Sequence, residues 1–238
     1  LTPEISIVVP AFNEAGAIED LIAEIAAAFD GRRFEIIVVD DASRDETREV
    51  LIALKSATPA LRVLGHGRNA GQSRAIRTGV LAAGAAIVVT LDADGQNDPA
   101  DAPALVDALS ADPALGLVAG QRVRRQDGRA KRVASGLANG VRRRILDDGA
   151  VDTGCGLKAF RREAYLALPY FDHMHRFLPA LFQREGLAVA YRPVTSRARR
   201  FGVSKYSNLG RLWVSIWDLM GVVWLKARTR DPGGAEEF

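Results

Sequence analysis

The sequence predicts an α/β fold: a mostly parallel β-sheet with helices on both faces. Three observations carry this expectation. Short apolar runs rich in β-branched residues recur through the first half of the chain, and Ala86-Ile87-Val88-Val89 has the unbroken character of a strand buried in a parallel sheet. Segments with helical spacing, 10 to 15 residues long, separate the runs, which is the alternation of β–α units. Polar residues gather just after the strands, where open α/β sheets bind ligands.

The elements follow in order. Ile5 to Val9 reads as a strand stopped by Pro10, and the apolar positions 18, 21, 22, 25, 26 and 29 form one face of a helix over Ala15 to Phe29. Phe34 to Val39 is the second strand. Asp45 or Ser43 is positioned to cap the helix that follows, which runs to about Ala57. Leu61 to Gly65 is a third strand, and a helix begins after Gly71-Gln72-Ser73 and reaches Ala83. The Ala86 strand, a helix from Pro99 to Ser110 and a strand over Gly116 to Ala119 complete this half. From Arg122 the alternation lapses, with a basic loop breaking at Gly128, a helix over Lys131 to Leu146 and a short strand over Ala188 to Pro193.

The loops carry the chemistry. Asn13 and Glu14 follow the first strand, Asp40 and Asp41 the second, Asn69 the third, and Asp92 and Asp94 the fourth. Helix capping accounts for one polar residue per loop, not for paired carboxylates in two of them. In Asp92-Ala93-Asp94-Gly95-Gln96, two acids and an amide oxygen at alternate positions form a hard oxygen cluster suited to Mg²⁺ or Mn²⁺ beside a diphosphate. For Asp40, packing against the following helix and ligand contact are both open.

Composition narrows the classes. With 48% hydrophobic and 26% charged residues, the 238-residue chain is ordinary for a globular protein. Its net charge of +3 conceals a division: residues 1–120 hold 9 Lys/Arg against 18 Asp/Glu, or −9, and residues 121–238 hold 23 against 11, or +12. The first half suits a cation and the second an anion, whether nucleic acid, phosphorylated lipid or anionic bilayer. Cys155 is the only cysteine, so no intrachain disulfide forms and a reducing compartment is expected. The three histidines are too dispersed for a structural zinc site. The start at Leu1 leads at once into a strand pattern, so no signal peptide is expected. The longest apolar tract, Leu219 to Leu225, falls well short of the roughly 20 residues of a membrane-spanning helix.

Neither Gly-x-Gly-x-x-Gly after the first strand nor Gly-x-x-x-x-Gly-Lys-Ser/Thr is present, which disfavours dinucleotide-binding and P-loop enzymes. Val8-Val9-Pro10-Ala11-Phe12-Asn13-Glu14, Val39-Asp40-Asp41-Ala42-Ser43-Arg44-Asp45-Glu46-Thr47, Asn69-Ala70-Gly71 and Asp92 to Pro99 together resemble the family 2 glycosyltransferases. Within that family the chain most resembles the dolichyl-phosphate mannose synthase-like branch, whose members load a sugar onto a polyprenyl phosphate. The resemblance implies a GT-A fold, a nucleotide-sugar donor and a divalent metal. It places Pro10, Phe12, Glu14, Val39 and Asp41 around base and ribose. It puts Asp92, Ala93, Asp94 and Gln96 at the diphosphate, with Asp92, Asp94 and Gln96 on Mg²⁺ or Mn²⁺. Asn97 departs from the family's usual acid.

The resemblance further implies Arg122, Lys131 and Ser135, with Arg132 as an alternative to Lys131, around the acceptor phosphate. Arg199 and Lys205 join Arg122 at the donor diphosphate, and the basic loop Arg197 to Tyr206 is expected to close over it. Asp152-Thr153-Gly154-Cys155-Gly156-Leu157-Lys158-Ala159-Phe160-Arg161 resembles the branch's Asp-Thr-Gly segment beneath the acceptor. Asp152 either orients the acceptor or holds an arginine, and Arg176 pairs with Asp152 or with a phosphate. Cys155, between glycines, reads as a packed residue rather than a nucleophile. Asp94, Arg122, Asp152 and Lys205 are the residues expected to carry the chemistry.

Leu209, Leu212, Trp213, Ile216, Trp217, Leu219, Met220, Val223 and Trp224 form a broad apolar helical surface flanked by cations, and they include all three tryptophans. Core packing, an in-plane helix at a membrane surface, or docking to a membrane-protein partner or a second copy each fit. The organisation expected is a glycosyltransferase domain over 1–205, divided near 120 into donor and acceptor halves. An interfacial helix over 206–230 and a disordered tail over 231–238 follow. By the resemblance the enzyme transfers a sugar, with inversion, from a nucleotide diphosphate to a polyprenyl phosphate at the cytoplasmic membrane face. Transfer to a sugar hydroxyl, with Asp152 as base, is the enzymatic alternative. Nucleic-acid binding is disfavoured, because residues 121–132 interleave no aromatics with their cations.

Overall fold

The computed structural model describes residues 2–123, 140, 142, 144–198 and 208–230, with backbone alone for 208–213. Its centre is a seven-stranded sheet in the order β3-β2-β1-β4-β6-β5-β7. The strands are β1 (Ile5–Ala11), β2 (Phe34–Asp40), β3 (Leu61–Gly65), β4 (Ile87–Thr90), β5 (Leu115–Arg122), β6 (Lys158–Arg161) and β7 (Ala188–Val194). Only β6 runs against its neighbours, pairing antiparallel with both β4 and β5, so the sheet is mostly parallel as expected.

Both faces are covered, and the side-chain period of two shows how. Ile7, Val9, Ile36 and Val38 enter one core, with α1 (Ile18–Ala28), α2 (Thr47–Leu54) and α4 (Ala102–Ala111). Val8, Ile37 and Val39 enter the other, with α3 (Gln72–Ala82), α5 (Arg162–Ala167) and α6 (Leu178–Arg184). A strand buried on both faces has no polar face to alternate, which is why these runs read as continuously apolar.

Two local expectations change. Pro10 does not stop the first strand, which continues to Ala11 in register with Asp40. Val8 accepts from the Leu91 amide on the β4 side, so Pro10, two residues on, turns its missing N–H the same way, past the last pair Val8–Thr90. Strands and helices also resume sooner than expected after Arg122, with β6, α5 and α6 preceding β7. Four residues bounded by Lys158 and Arg161 carry too little apolar signal to be read as a central strand.

The last helix, α7 (Asn208–Arg228), packs one stripe on the domain. Val222 is fully buried in the second core with Leu219 and Leu225 beside it. Asp218 reaches His173 Nδ1 at 3.2 Å, Arg184 donates to the Leu225 carbonyl, and Lys226 donates to that of Leu146. The opposite stripe is open, with Trp217 66% and Trp224 59% exposed beside Ile216, Met220 and Val223. Core packing and an exposed apolar face therefore coexist on one helix. Among the described residues no helix is long and apolar enough to cross a membrane. The 231–238 tail lies outside the described residues.

Candidate active site

The strand order reverses between β1 and β4, opening a crevice at their carboxyl ends, and the predicted loops meet there. Asp41 is buried at its head. Its carboxylate accepts from the amides of Ala70 and Gly71 at 2.9 and 2.8 Å and contacts His66 Nδ1 at 2.6 Å, while Asn69 donates to its carbonyl. Asp41 thus holds the loop that begins α3, where Gly71 adopts φ +86°. Asp40 settles into packing: it is fully buried, accepts from the Ser43 amide and binds Arg48 at 2.7 Å. Asn13 takes part in the same tie, its amide donating to Ser43 Oγ and its side chain accepting from the Arg44 amide. Of the two candidate caps, Asp45 receives the Thr47 amide at the start of α2. Pro10, Phe12 and Glu14, at and just beyond the carboxyl end of β1, are partly exposed, whereas Val39 is fully buried and its side chain belongs to the core.

Asp92 and Asp94 follow β4. Gln72, in the first turn of α3, donates to Asp92 Oδ1 at 2.7 Å, and the Gln96 amide donates to Asp94 Oδ1 at 3.1 Å. Burial, then the Asp94 charge, pushes the Asp92 carboxyl up to about 6, against the pull of Lys158 and Arg122. A buried carboxylate whose ionisation is opposed in this way is what a divalent cation relieves. Among the described residues no group of three or more His, Cys, Asp or Glu converges. A metal here would have two carboxylates and the Gln96 oxygen, with water and phosphate oxygens completing the shell, which is the partial protein ligation Mg²⁺ favours. The donor set fits.

A cavity opens beside Asp92, bounded by Gln72, Thr153, Gly156, Lys158, His175 and Arg176. Sequence reasoning did not single out Gln72, Gly156 or Lys158; Lys158 sits in a strand hidden by its polar ends. His175 is bonded to Ser73 Oγ at 2.7 Å, and burial, with Arg176 and Lys158 nearby, keeps the ring well below the ordinary histidine range, hence neutral. Arg142, paired with buried Asp148 at 2.6 Å, also donates to the Arg176 carbonyl and steadies that turn.

Asp152 holds an arginine, and the arginine is Arg122. Nε and Nη2 meet the two carboxylate oxygens at 2.6 and 2.9 Å, a bidentate pair with both side chains largely buried. Asn97, the family departure, is buried with Nδ2 3.5 Å from Cys155 Sγ, a setting where a carboxylate would be costly. Burial raises the Cys155 thiol, consistent with a packed residue. Arg197 ion-pairs with Glu24 and Asp98 at 2.6 and 2.8 Å, and its amide donates to Gln96 O, so the root of the basic loop is fastened beside the acids. Lys131, Arg132, Ser135, Arg199 and Lys205 lie outside the described residues.

Residues 6–168 match the sequence profile described as glycosyl transferase family 2. The chain belongs to that family. It is 36% identical to the dodecaprenyl-phosphate galacturonate synthase of Rhizobium johnstonii, across 97% of this chain and 69% of the relative. It is 35% identical to the undecaprenyl-phosphate 4-deoxy-4-formamido-L-arabinose transferase of Edwardsiella ictaluri, across 91% and 66%. The chain therefore spans about two thirds of each relative's length. In architecture the glycosyltransferase is similar to glucosyl-3-phosphoglycerate synthase from Mycobacterium tuberculosis, with a TM-score of 0.73 at 24% identity over 97% of this chain and 82% of that one. That structure holds Mn²⁺, uridine diphosphate and glucosyl-3-phosphoglycerate, and a second holds Mg²⁺ and uridine diphosphate (TM-score 0.71, 23% identity, 97% and 82% covered). These likenesses support the GT-A fold.

Proposed function

We propose that this glycosyltransferase moves a sugar from a nucleotide diphosphate to a polyprenyl monophosphate, with metal assistance and inversion, at the cytoplasmic face of a membrane. The observation that carries the reading is the juxtaposition of the Asp92–Asp94 pair with Lys158, Arg122 and Arg176 across one crevice. The names of the two curated relatives support the acceptor class, and the solved complexes support the donor diphosphate and the cation.

In this reading Pro10, Phe12, Glu14, Val39 and Asp41 shape the space for base and ribose, the last two from within the fold. Asp92, Asp94 and Gln96 hold Mg²⁺ or Mn²⁺. The cation supplies charge stabilisation to the departing diphosphate. A phosphate monoester is already a nucleophile at neutral pH, since its second ionisation lies near pH 6. No general base is then required, and Asp152 serves as a positioning residue that aims the Arg122 guanidinium. Its bidentate engagement disfavours the alternative in which it deprotonates a sugar hydroxyl. Lys131 or Arg132, Ser135 and Arg176 complete the acceptor phosphate site, and Arg199 and Lys205 the cover over the diphosphate. The outward stripe of α7, with Trp217 and Trp224 and the exposed Arg228 and Arg230 at the end of the helix, suits a membrane surface.

The test is transfer of radiolabelled sugar from uridine and guanosine diphosphate donors to a short polyprenyl phosphate, with and without Mn²⁺. Product that partitions into organic solvent and requires the metal is expected; transfer to water or free sugars alone would refute the acceptor assignment.

A further inference from the structure

His175 meets the cavity beside Asp92 with one ring nitrogen tied to the fold and the other left over. It stands in the 3-10 turn Met174–Arg176 and lines that cavity next to Arg176. Its Nδ1 lies 2.7 Å from Ser73 Oγ, in the first turn of α3, and its backbone amide donates to the same oxygen at 3.4 Å. Ser73 is fully buried. Among the described residues neither side chain has a further hydrogen-bond partner.

These contacts fix the protons. An amide only donates, so Ser73 Oγ accepts from it. Were Oγ also to accept from Nδ1–H, the buried hydroxyl proton would be stranded without an acceptor, which buried polar groups avoid. The hydroxyl therefore donates to Nδ1, and a neutral ring then carries its proton on Nε2. Burial, with Arg176 and Lys158 nearby, keeps the ring neutral. The cavity thus has an uncharged N–H donor of fixed direction beside a guanidinium. A phosphate monoester that attacks through one oxygen has others to be held, and each of them accepts. Cations hold them by charge, which also draws electron density from the nucleophile; a neutral donor adds orientation without adding charge.

We propose that His175 donates from Nε2 to a non-attacking oxygen of the acceptor phosphate, a further binding residue for the transfer. The inference rests on the polyprenyl-phosphate reading of the site. Two amides separate this role from a structural one, because an Asn amide coincides with Nδ1 and a Gln amide with Nε2. His175→Asn keeps the tie to Ser73 and loses the cavity donor, whereas His175→Gln does the reverse. With a short polyprenyl phosphate and Mn²⁺, His175→Asn should lower kcat/KM for the acceptor roughly tenfold or more, the scale of one hydrogen bond to a charged group, and leave the KM of the donor unchanged. His175→Gln should recover most of that loss. The reverse ranking, with Asn tolerated and Gln impaired, overturns the proposal, as does a loss that falls on the donor KM. The unaltered enzyme decides independently of whether the variants fold. Its nitrogen resonance spectrum should show His175 protonated on Nε2, and that proton should shift as the polyprenyl phosphate is added; a proton on Nδ1, or no shift at saturation, overturns the assignment. Absence of transfer to the polyprenyl phosphate from every nucleotide sugar would instead overturn the acceptor reading beneath it.

Discussion

Gly156 makes room for Asp92. A Cβ built on this glycine falls inside the Asp92 carboxylate, far closer than van der Waals contact to all three of its terminal atoms. The Gly156 carbonyl also accepts from Thr90 Oγ1 at 2.8 Å, so β4 and the segment leading into β6 are locked at this spacing and cannot separate cheaply. Gly156→Ala is therefore expected to displace the acid and lower transfer at least ~100-fold, on the order of the 10² lost for a small misplacement at a reacting centre. Steady-state kinetics beside a melting curve would check this; an active, well-folded alanine variant contradicts it.

Asp94→Ala and Asp92→Asn should each abolish Mn²⁺-dependent transfer. In the presence of nucleotide, the electron paramagnetic resonance signal of free Mn²⁺ should stay undiminished in either variant while the unaltered enzyme depletes it. Lys205→Ala, in the basic stretch of sequence after Arg197, is expected to weaken transfer strongly without changing Mn²⁺ uptake.

The Arg122–Asp152 pair should behave as one unit. Breaking a buried pair strands its partner at a cost of about 3–5 kcal/mol, so Arg122→Met and Asp152→Asn should each impair the enzyme nearly as much as the double variant. A pH–rate profile separates the roles. If Asp152 were a base, Asp152→Asn would remove the acidic limb, whereas a positioning residue leaves the limb and lowers the plateau.

Acid should destabilise the fold through Glu35. Burial alone would raise its carboxyl, but hydrogen bonds from Ser6 Oγ and the Gly84 amide, with Arg62, outweigh it and hold the group below the ordinary glutamate range. A folded-state value below the unfolded one stabilises fully above the unfolded value and is lost as pH falls through the folded one. The Tm should therefore drop as pH falls below the ordinary glutamate range, and Glu35→Gln should be less stable at neutral pH with a flatter acid limb.

The outward stripe of α7 gives the last prediction. Trp217→Ser with Trp224→Ser should release the protein from vesicles containing anionic lipid while leaving the melting temperature unchanged, because neither ring packs on the domain. Retention measured by flotation, undiminished in the double variant, would move the contact to the basic loops.

Periodicity and loop chemistry were enough to recover β1 to β5 and their helices, the parallel sheet, and the gathering of Asp41, Asp92 and Asp94 at one edge. These are local properties: a run of apolar residues, a turn, an acid at a strand end. The partner of Asp152, the cavity that Gln72, Gly156 and Lys158 build, and the division of the last helix into a docked and an open stripe came only from the folded chain. The reason is that each depends on what lies across a sheet. Lys158 comes to Asp92 because β6 inserts antiparallel between β4 and β5, and a four-residue strand gains that place from the pairing offered by its neighbours rather than from any signal of its own.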